Sequence, residues 1–140
     1  MSLLSVENLT IKFHTRNGIV EAVKNVNFHV DEGETLAIVG ESGSGKSVAC
    51  YSLLNLIPCP PGKVESGTVF FDGADLINAS KRDLQKIRGN DIAIIFQDPM
   101  TSLNPYLTIG EQLIEPLIYH SRKTRNQAFI QAIEILGDVG

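Results

Sequence analysis

The sequence lacks any apolar run as long as the roughly 18 residues that a bilayer-crossing helix requires, which excludes such a helix within it. It also lacks the marks of a secretory leader, since the start, MSLLSVENLT, has neither a basic segment nor a small-residue cleavage site. The cytoplasm is therefore the expected compartment. Cysteine is scarce: Cys50 and Cys59 stand alone at no metal-ligand spacing, so both are expected as reduced thiols rather than as a disulfide or a metal site. Positive charge is short as well. Lysine and arginine number 12 against 16 acidic residues, a net charge of −4, which argues against the basic stripe used to track nucleic acid. The one basic cluster, Arg122-Lys123 with Arg125, reads as the solvated start of a helix. His14, His29 and His120 are scattered without a paired ligand or nucleophile, and no internal repeat or low-complexity tract occurs.

What is present suits one ordinary globular domain. At 140 residues, 43% of them hydrophobic and 20% charged, the chain can bury a core. Leu4–Phe13 and Ile19–Val30 have strand-like content about the turn-forming Arg16-Asn17-Gly18, which predicts an antiparallel hairpin. A strand over Thr35–Val39 and a helix over Lys46–Ile57 are expected next, then a Pro/Gly-rich loop over Pro58–Gly67 and a short strand over Thr68–Phe71. Ser80, three residues before Asp83, is placed to cap a helix that Gly89 ends. Asp91–Phe96 reads as a buried strand. Beyond it, helices over Ile109–His120 and Arg125–Leu136 each open on a capping box, Thr108 with Glu111 and Thr124 with Gln127, and Pro116 is expected to kink the first. The expected parts are an antiparallel β portion over 1–34, an α/β portion over 35–97 and the start of a helical portion over 98–140. Tyr51, Phe70, Phe71 and Phe129 are assigned to packing.

The stretch Gly40-Glu41-Ser42-Gly43-Ser44-Gly45-Lys46-Ser47 satisfies G-x-x-x-x-G-K-[ST], and it does so between an expected strand and an expected helix, the context that confirms a P-loop. Its glycines let the backbone wrap so that successive N–H groups form an anion nest at a helix N-terminus. Lys46 is expected to reach the β- and γ-phosphates, and the Ser47 hydroxyl to hold Mg²⁺. The motif fixes a ligand class and not a task, since kinases, GTPases and motor ATPases share it.

The discriminating residues lie in IAIIFQDPMTSLNP. Either Asp98 is a metal-organising carboxylate displaced by one residue from the usual strand end, or Gln97 is itself the functional residue. FQDPMTSLNP resembles the ATP-binding subunits of ABC transporters, and QDPMTSLNP with GESGSGKS and PPGKVESGTVFFDGADL resembles their oligopeptide and dipeptide importer branch. The resemblance covers essentially the whole chain and implies a P-loop α/β fold of the ABC ATPase type with an antiparallel β portion and the start of a helical subdomain. It further implies ATP and Mg²⁺ as cofactors, and Gln97 as a Q-loop residue that contacts Mg²⁺ and the attacking water. Phe13 falls where an aromatic stacks on adenine. The expected nucleotide contacts are then Phe13, Gly40, Ser42, Gly43, Ser44, Gly45, Lys46, Ser47 and Val48, with Ser47 and Gln97 at the metal and Gln97 and Lys46 in catalysis.

As partners the resemblance implies a second ATPase subunit, membrane permease subunits and, indirectly, a solute-binding protein, on the inner face of the cell membrane. The family's Leu-Ser-Gly-Gly motif, its Asp-Glu strand end and its switch histidine are not found; the only Asp-Glu is Asp31-Glu32, in a turn. The expectation is therefore an N-terminal part of a longer protein, able to hold nucleotide and without its catalytic base. Two other classes stand beside this one. A non-transport ABC ATPase of DNA repair or the ribosome should show basic patches or large insertions, and a small-molecule kinase would use Asp98 as its metal carboxylate.

Overall fold

The computed structural model describes residues 2–98 and 102–140. It falls into two compact units, the first ending at Leu84 and the second running from Gln85 to Gly140.

In the first unit, β1 (Ser2–Thr15) and β2 (Gly18–Asp31) form the expected hairpin, with Thr15 opposite Gly18 and Leu4 opposite Val30. The ladder slips in places, and two asparagines take up the irregularity. Asn8 and Asn25 both have φ near +50°, and side-chain acceptors meet their amides, Asn27 Oδ1 at 2.7 Å and Thr10 Oγ1 at 3.1 Å respectively. A bulge thus leaves no stranded donor.

β3 (Gly62–Phe71) pairs antiparallel with the other edge of β1, and the two-residue β4 (Ala74–Asp75) follows, giving the order β2-β1-β3-β4. The expected loop over Pro58–Gly67 is corrected from Gly62 onward. Phe13, Lys12 and Ile11 of β1 pair with Gly62, Lys63 and Val64, so a long-range ladder overrides the local Pro/Gly signal. Gly67 makes this possible: at φ +101° its α-carbon passes so close to β1 that a Cβ would stand 2.6 Å from the α-carbon of Leu9. Val6, Leu9, Ile11, Val23, Val69 and Leu76 are buried on this unit's core face. Each such side chain contributes roughly 1.5–3 kcal/mol relative to exposure.

The expected strands over Thr35–Val39 and Asp91–Phe96 are not formed. The first has no ladder at all, and the second only an isolated bridge between Arg88 and Ile92. Apolar content states a preference for burial, whereas a strand also needs a neighbouring strand to ladder with, and among the described residues neither segment forms a ladder. Thr35–Val39 is exposed throughout, Val39 at 88%, and in the second segment Ile95 is 95% exposed while Ile92 and Ile94 are half-buried.

α1 (Lys46–Leu53) stops short of the expected Ile57, because Asn55 takes a left-handed φ of 51°. α2 (Lys81–Ile87) has the expected start, with Asp83 N–H donating to Ser80 Oγ at 3.2 Å and that hydroxyl donating to Asp83 Oδ2 at 2.6 Å.

In the second unit, α3 (Ile109–Ser121) and α4 (Arg125–Val139) both carry complete capping boxes. α3 runs on through Pro116, and α4 continues through Gly137 beyond the expected end. The two helices meet over Ile114, Ala128 and Ala132, with Leu113 and Leu117 packed alongside. Alanines let the axes approach closely, so a few side chains suffice. Phe129, expected to pack, is instead 51% exposed.

Candidate functional site

The loop Gly40–Ser47 leads directly into α1, and its shape follows from two glycines. Gly43 and Gly45 take φ of 83° and 90°, a region that costs any other L-residue about 1 kcal/mol or more. Gly45 answers a second demand as well. A Cβ there would lie 2.1 Å from the carbonyl oxygen of Ala22 in β2, so the loop's last turn rests on the sheet backbone with no room for a side chain.

Gly45 is the N-cap of α1 and offers no side-chain cap, and the first turn has no acidic residue. The early amides of this helix, from Lys46, Ser47 and Val48, are thus not met by a capping side chain, and the helix dipole adds partial positive charge at the same end. Together with the loop glycines, this set of donors suits an oxyanion.

Lys46 folds back across the loop mouth. Its Nζ donates to the carbonyl oxygens of Gly40 and Glu41, each at 2.7 Å, and to the hydroxyl of Ser44 at 3.3 Å. One cation is therefore held by the loop that would receive phosphate. A cleft of about 790 Å³ opens beside it, lined by Val23, Val26 and Phe28 of β2, by Leu36 and Ile38, and by Lys46.

Phe13 is half-buried at the far end of β1, between Val20 and Gly62 in the ladder. Its ring edge leans on the bare α-carbon of Gly62, where a Cβ would stand 3.0 Å from Phe13 Cε1 and 2.3 Å from Ile57 Cγ2. On the next residue, His14 Nε2 lies 3.0 Å from Glu65 Oε1, and Lys63 lies 3.2 Å from the other oxygen of that carboxylate. The hydrogen bond from His14, followed by that from Lys63, holds the Glu65 carboxyl below its usual range.

The other expected site residues belong to the second unit. Gln97 is exposed in a bend and Asp98 is exposed beside it, while Pro99, Met100 and Thr101 of the QDPMTSLNP stretch lie outside the described residues. Sequence reasoning missed Gln112. Its side chain accepts from Asn104 N–H at 2.8 Å and donates to the carbonyls of Asn104 and Leu107 at 3.0 and 3.2 Å, pinning the end of that stretch to α3. The only signal the sequence offered was a polar residue one turn into α3.

Among the described residues no cluster of His, Cys, Asp or Glu could hold a metal by itself, so a cation here would depend on a hydroxyl such as that of Ser47 together with the ligand's own oxygens. Cys50 and Cys59 are both free thiols. No helix among the described residues is long and apolar enough to cross a membrane.

Comparison with known proteins places these features among others of their kind. The sequence model of the ABC transporter family matches residues 23–140. The oligopeptide transport ATP-binding protein OppD of Bacillus subtilis is 50% identical over 138 residues, which are 99% of this chain and 38% of that protein. The dipeptide transport ATP-binding protein DppD of the same organism is 46% identical over 99% of this chain and 41% of its own length. This chain thus spans about two fifths of the relatives it matches. A solved ATP-binding cassette, captured as a dimer in a post-hydrolysis state with ADP and Pi, superposes with a TM-score of 0.77 at 30% identity, covering 96% of this chain and 56% of that one.

Proposed function

The chain belongs to the ABC transporter family, and from that premise we propose that it holds Mg-ATP as the N-terminal part of the ATPase subunit that energises a peptide importer. The observation that carries the proposal is the Lys46 ammonium, seated by its own loop at the mouth of an uncapped helix N-terminus. This arrangement brings a fixed positive charge and free amide donors to one place, which is what a polyphosphate needs. Gly40, Ser42, Gly43, Ser44 and Gly45 form the wall, and the amides of Ser47 and Val48 are donors. Phe13 provides a flat face for the purine. The Ser47 hydroxyl would be one ligand of Mg²⁺ and Gln97, by the family resemblance, another; the ion would supply charge neutralisation to the phosphates. Identity to oligopeptide and dipeptide transport proteins supports peptides as the transported class.

On this reading a second ATPase subunit and membrane permeases are the direct partners and a solute-binding protein an indirect one, with the protein on the cytoplasmic face of the cell membrane. Turnover needs a group to take the attacking water's proton, and no residue assigned here fills that role. Hydrolysis is accordingly a property of the longer subunit. Calorimetric titration of Mg-ATP into the full-length protein tests the cradle: Lys46→Ala should weaken binding by at least about tenfold, the loss of one charge-assisted contact of roughly 1.5–3 kcal/mol. Unchanged affinity would remove the basis for assigning this loop to nucleotide.

A further inference from the structure

Lys46 is held in place by three oxygens, of which two are main-chain carbonyls that no substitution can delete. The third is a side chain. We propose that Ser44 is a positioning residue for Lys46, its hydroxyl keeping the ammonium pointed into the loop before nucleotide arrives. The proposal rests on the nucleotide reading above and deepens it, because the P-loop pattern asks nothing of the side chain at this position.

Lysine carries a flexible four-carbon stem whose ordering opposes binding unless it is ordered beforehand. The carbonyls of Gly40 and Glu41 approach Nζ from the loop's entry, and Ser44 Oγ completes the set of acceptors that three ammonium protons require. The seat of that hydroxyl is itself specified. Ser44 N–H donates to Glu41 O at 3.2 Å, closing a turn, and a Cβ on Gly40 would stand 2.7 Å from Ser44 Oγ. Gly40 is not in the left-handed region, so its lack of a side chain serves space and not backbone freedom. The chain thus leaves residue 40 bare, the hydroxyl of residue 44 fills the room, and the cation of residue 46 rests on it.

A residue that acts through Lys46 must lose its effect when Lys46 is gone, which a residue that merely shapes the loop need not do. Mg-ATP affinity is measured by calorimetry on the full-length protein for Ser44→Ala, Ser44→Thr, Gly40→Ala, Lys46→Ala and the Ser44→Ala/Lys46→Ala double variant, with circular dichroism to confirm folding. Ser44→Ala should bind about three- to tenfold more weakly, the range for one ordinary hydrogen bond, because at 3.3 Å the contact is too long for the full strength of a charged one. Ser44→Thr, which keeps the hydroxyl, should restore binding to near the parent. Gly40→Ala should reproduce the Ser44→Ala loss by displacing the same oxygen, and the double variant should be no weaker than Lys46→Ala alone. Losses that multiply in the double variant, or full affinity in Ser44→Ala, would overturn the positioning role. Parental affinity in Lys46→Ala would instead overturn the nucleotide reading itself, and the Ser44 role with it.

Discussion

Gly45→Ala tests how the loop is held against the sheet, and its partner Gly43→Ala isolates the cause. Both glycines have left-handed backbones, at φ of 90° and 83°, so an alanine at either position bears the same conformational penalty of about 1 kcal/mol. Only their surroundings differ. A methyl at Gly43 would meet nothing within 4 Å, while at Gly45 it would sit 2.1 Å from the Ala22 carbonyl oxygen, 3.3 Å from its carbon and 3.5 Å from Val23 Cγ2. The oxygen is main chain, so no rotamer change relieves the overlap, and α1 and β2 must part instead. Overpacking of this kind costs about 1–3 kcal/mol, giving roughly 2–4 kcal/mol in total for Gly45→Ala against about 1 for Gly43→Ala. Equilibrium urea unfolding of the two variants, followed by far-UV circular dichroism on the full-length protein, reads the difference directly. Equal destabilisation would refute the close approach of Gly45 to β2, whatever happened to nucleotide affinity.

Phe13→Ala should weaken ATP and GTP by similar factors, since stacking on a ring is worth about 1–3 kcal/mol for any base; calorimetry that finds a selective loss of one purine would point to an edge-reading site. Acid should loosen the two helical caps unequally. The Thr108 amide and hydroxyl, with Arg125 adding charge, hold the Glu111 carboxyl below its usual range, so its contribution is full above the ordinary carboxylate pKa and is lost as pH falls through the lowered value, while Gln127 in the α4 box does not titrate. Amide exchange by NMR on descending pH should show fraying at Thr108–Gln112 before Thr124–Ala128, and simultaneous loss would contradict the assignment. The 140-residue chain alone should self-associate through its exposed apolar side chains, Val39 and Ile95 foremost, and light scattering that found a stable monomer would count against that.

The loop and the caps were legible in the sequence because each is a local device. Thr108 with Glu111, Thr124 with Gln127 and Ser80 with Asp83 need only three residues' spacing, and the hairpin needed only Asn17-Gly18 between two alternating runs. The first half of β3 was hidden because Pro60, Pro61 and Gly62 speak for a loop locally, whereas the ladder that recruits Gly62–Ser66 lies fifty residues away on β1. The opposite error at Thr35–Val39 has the same root: an apolar segment announces what it avoids, and pairing depends on a neighbour that its own residues do not encode. Within the candidate site, spacing alone singled out Lys46 and Ser47 as candidates. It could not show that Gly45 is glycine on account of Ala22, or that Gly40 leaves its space to Ser44.

β2 and β3 both run antiparallel to β1 on its two edges, so they run parallel to each other with one strand between them, and the segment bearing the phosphate loop must pass over β1 to join them. This path has a consequence for the order of events as the chain leaves the ribosome. The β1–β2 hairpin can zip as soon as Asp31 is clear, but the loop and α1 then hang by one end until β3 emerges and pairs, a few seconds later at ordinary synthesis rates. During that interval Gly45 can already rest on Ala22, yet nothing fixes the far side of α1. A nucleotide meeting the nascent chain at that stage would find the loop tethered through β2 alone. Once β3 has paired, whatever binds the folded loop stabilises the whole sheet by mass action, although it touches only one side of the crossover.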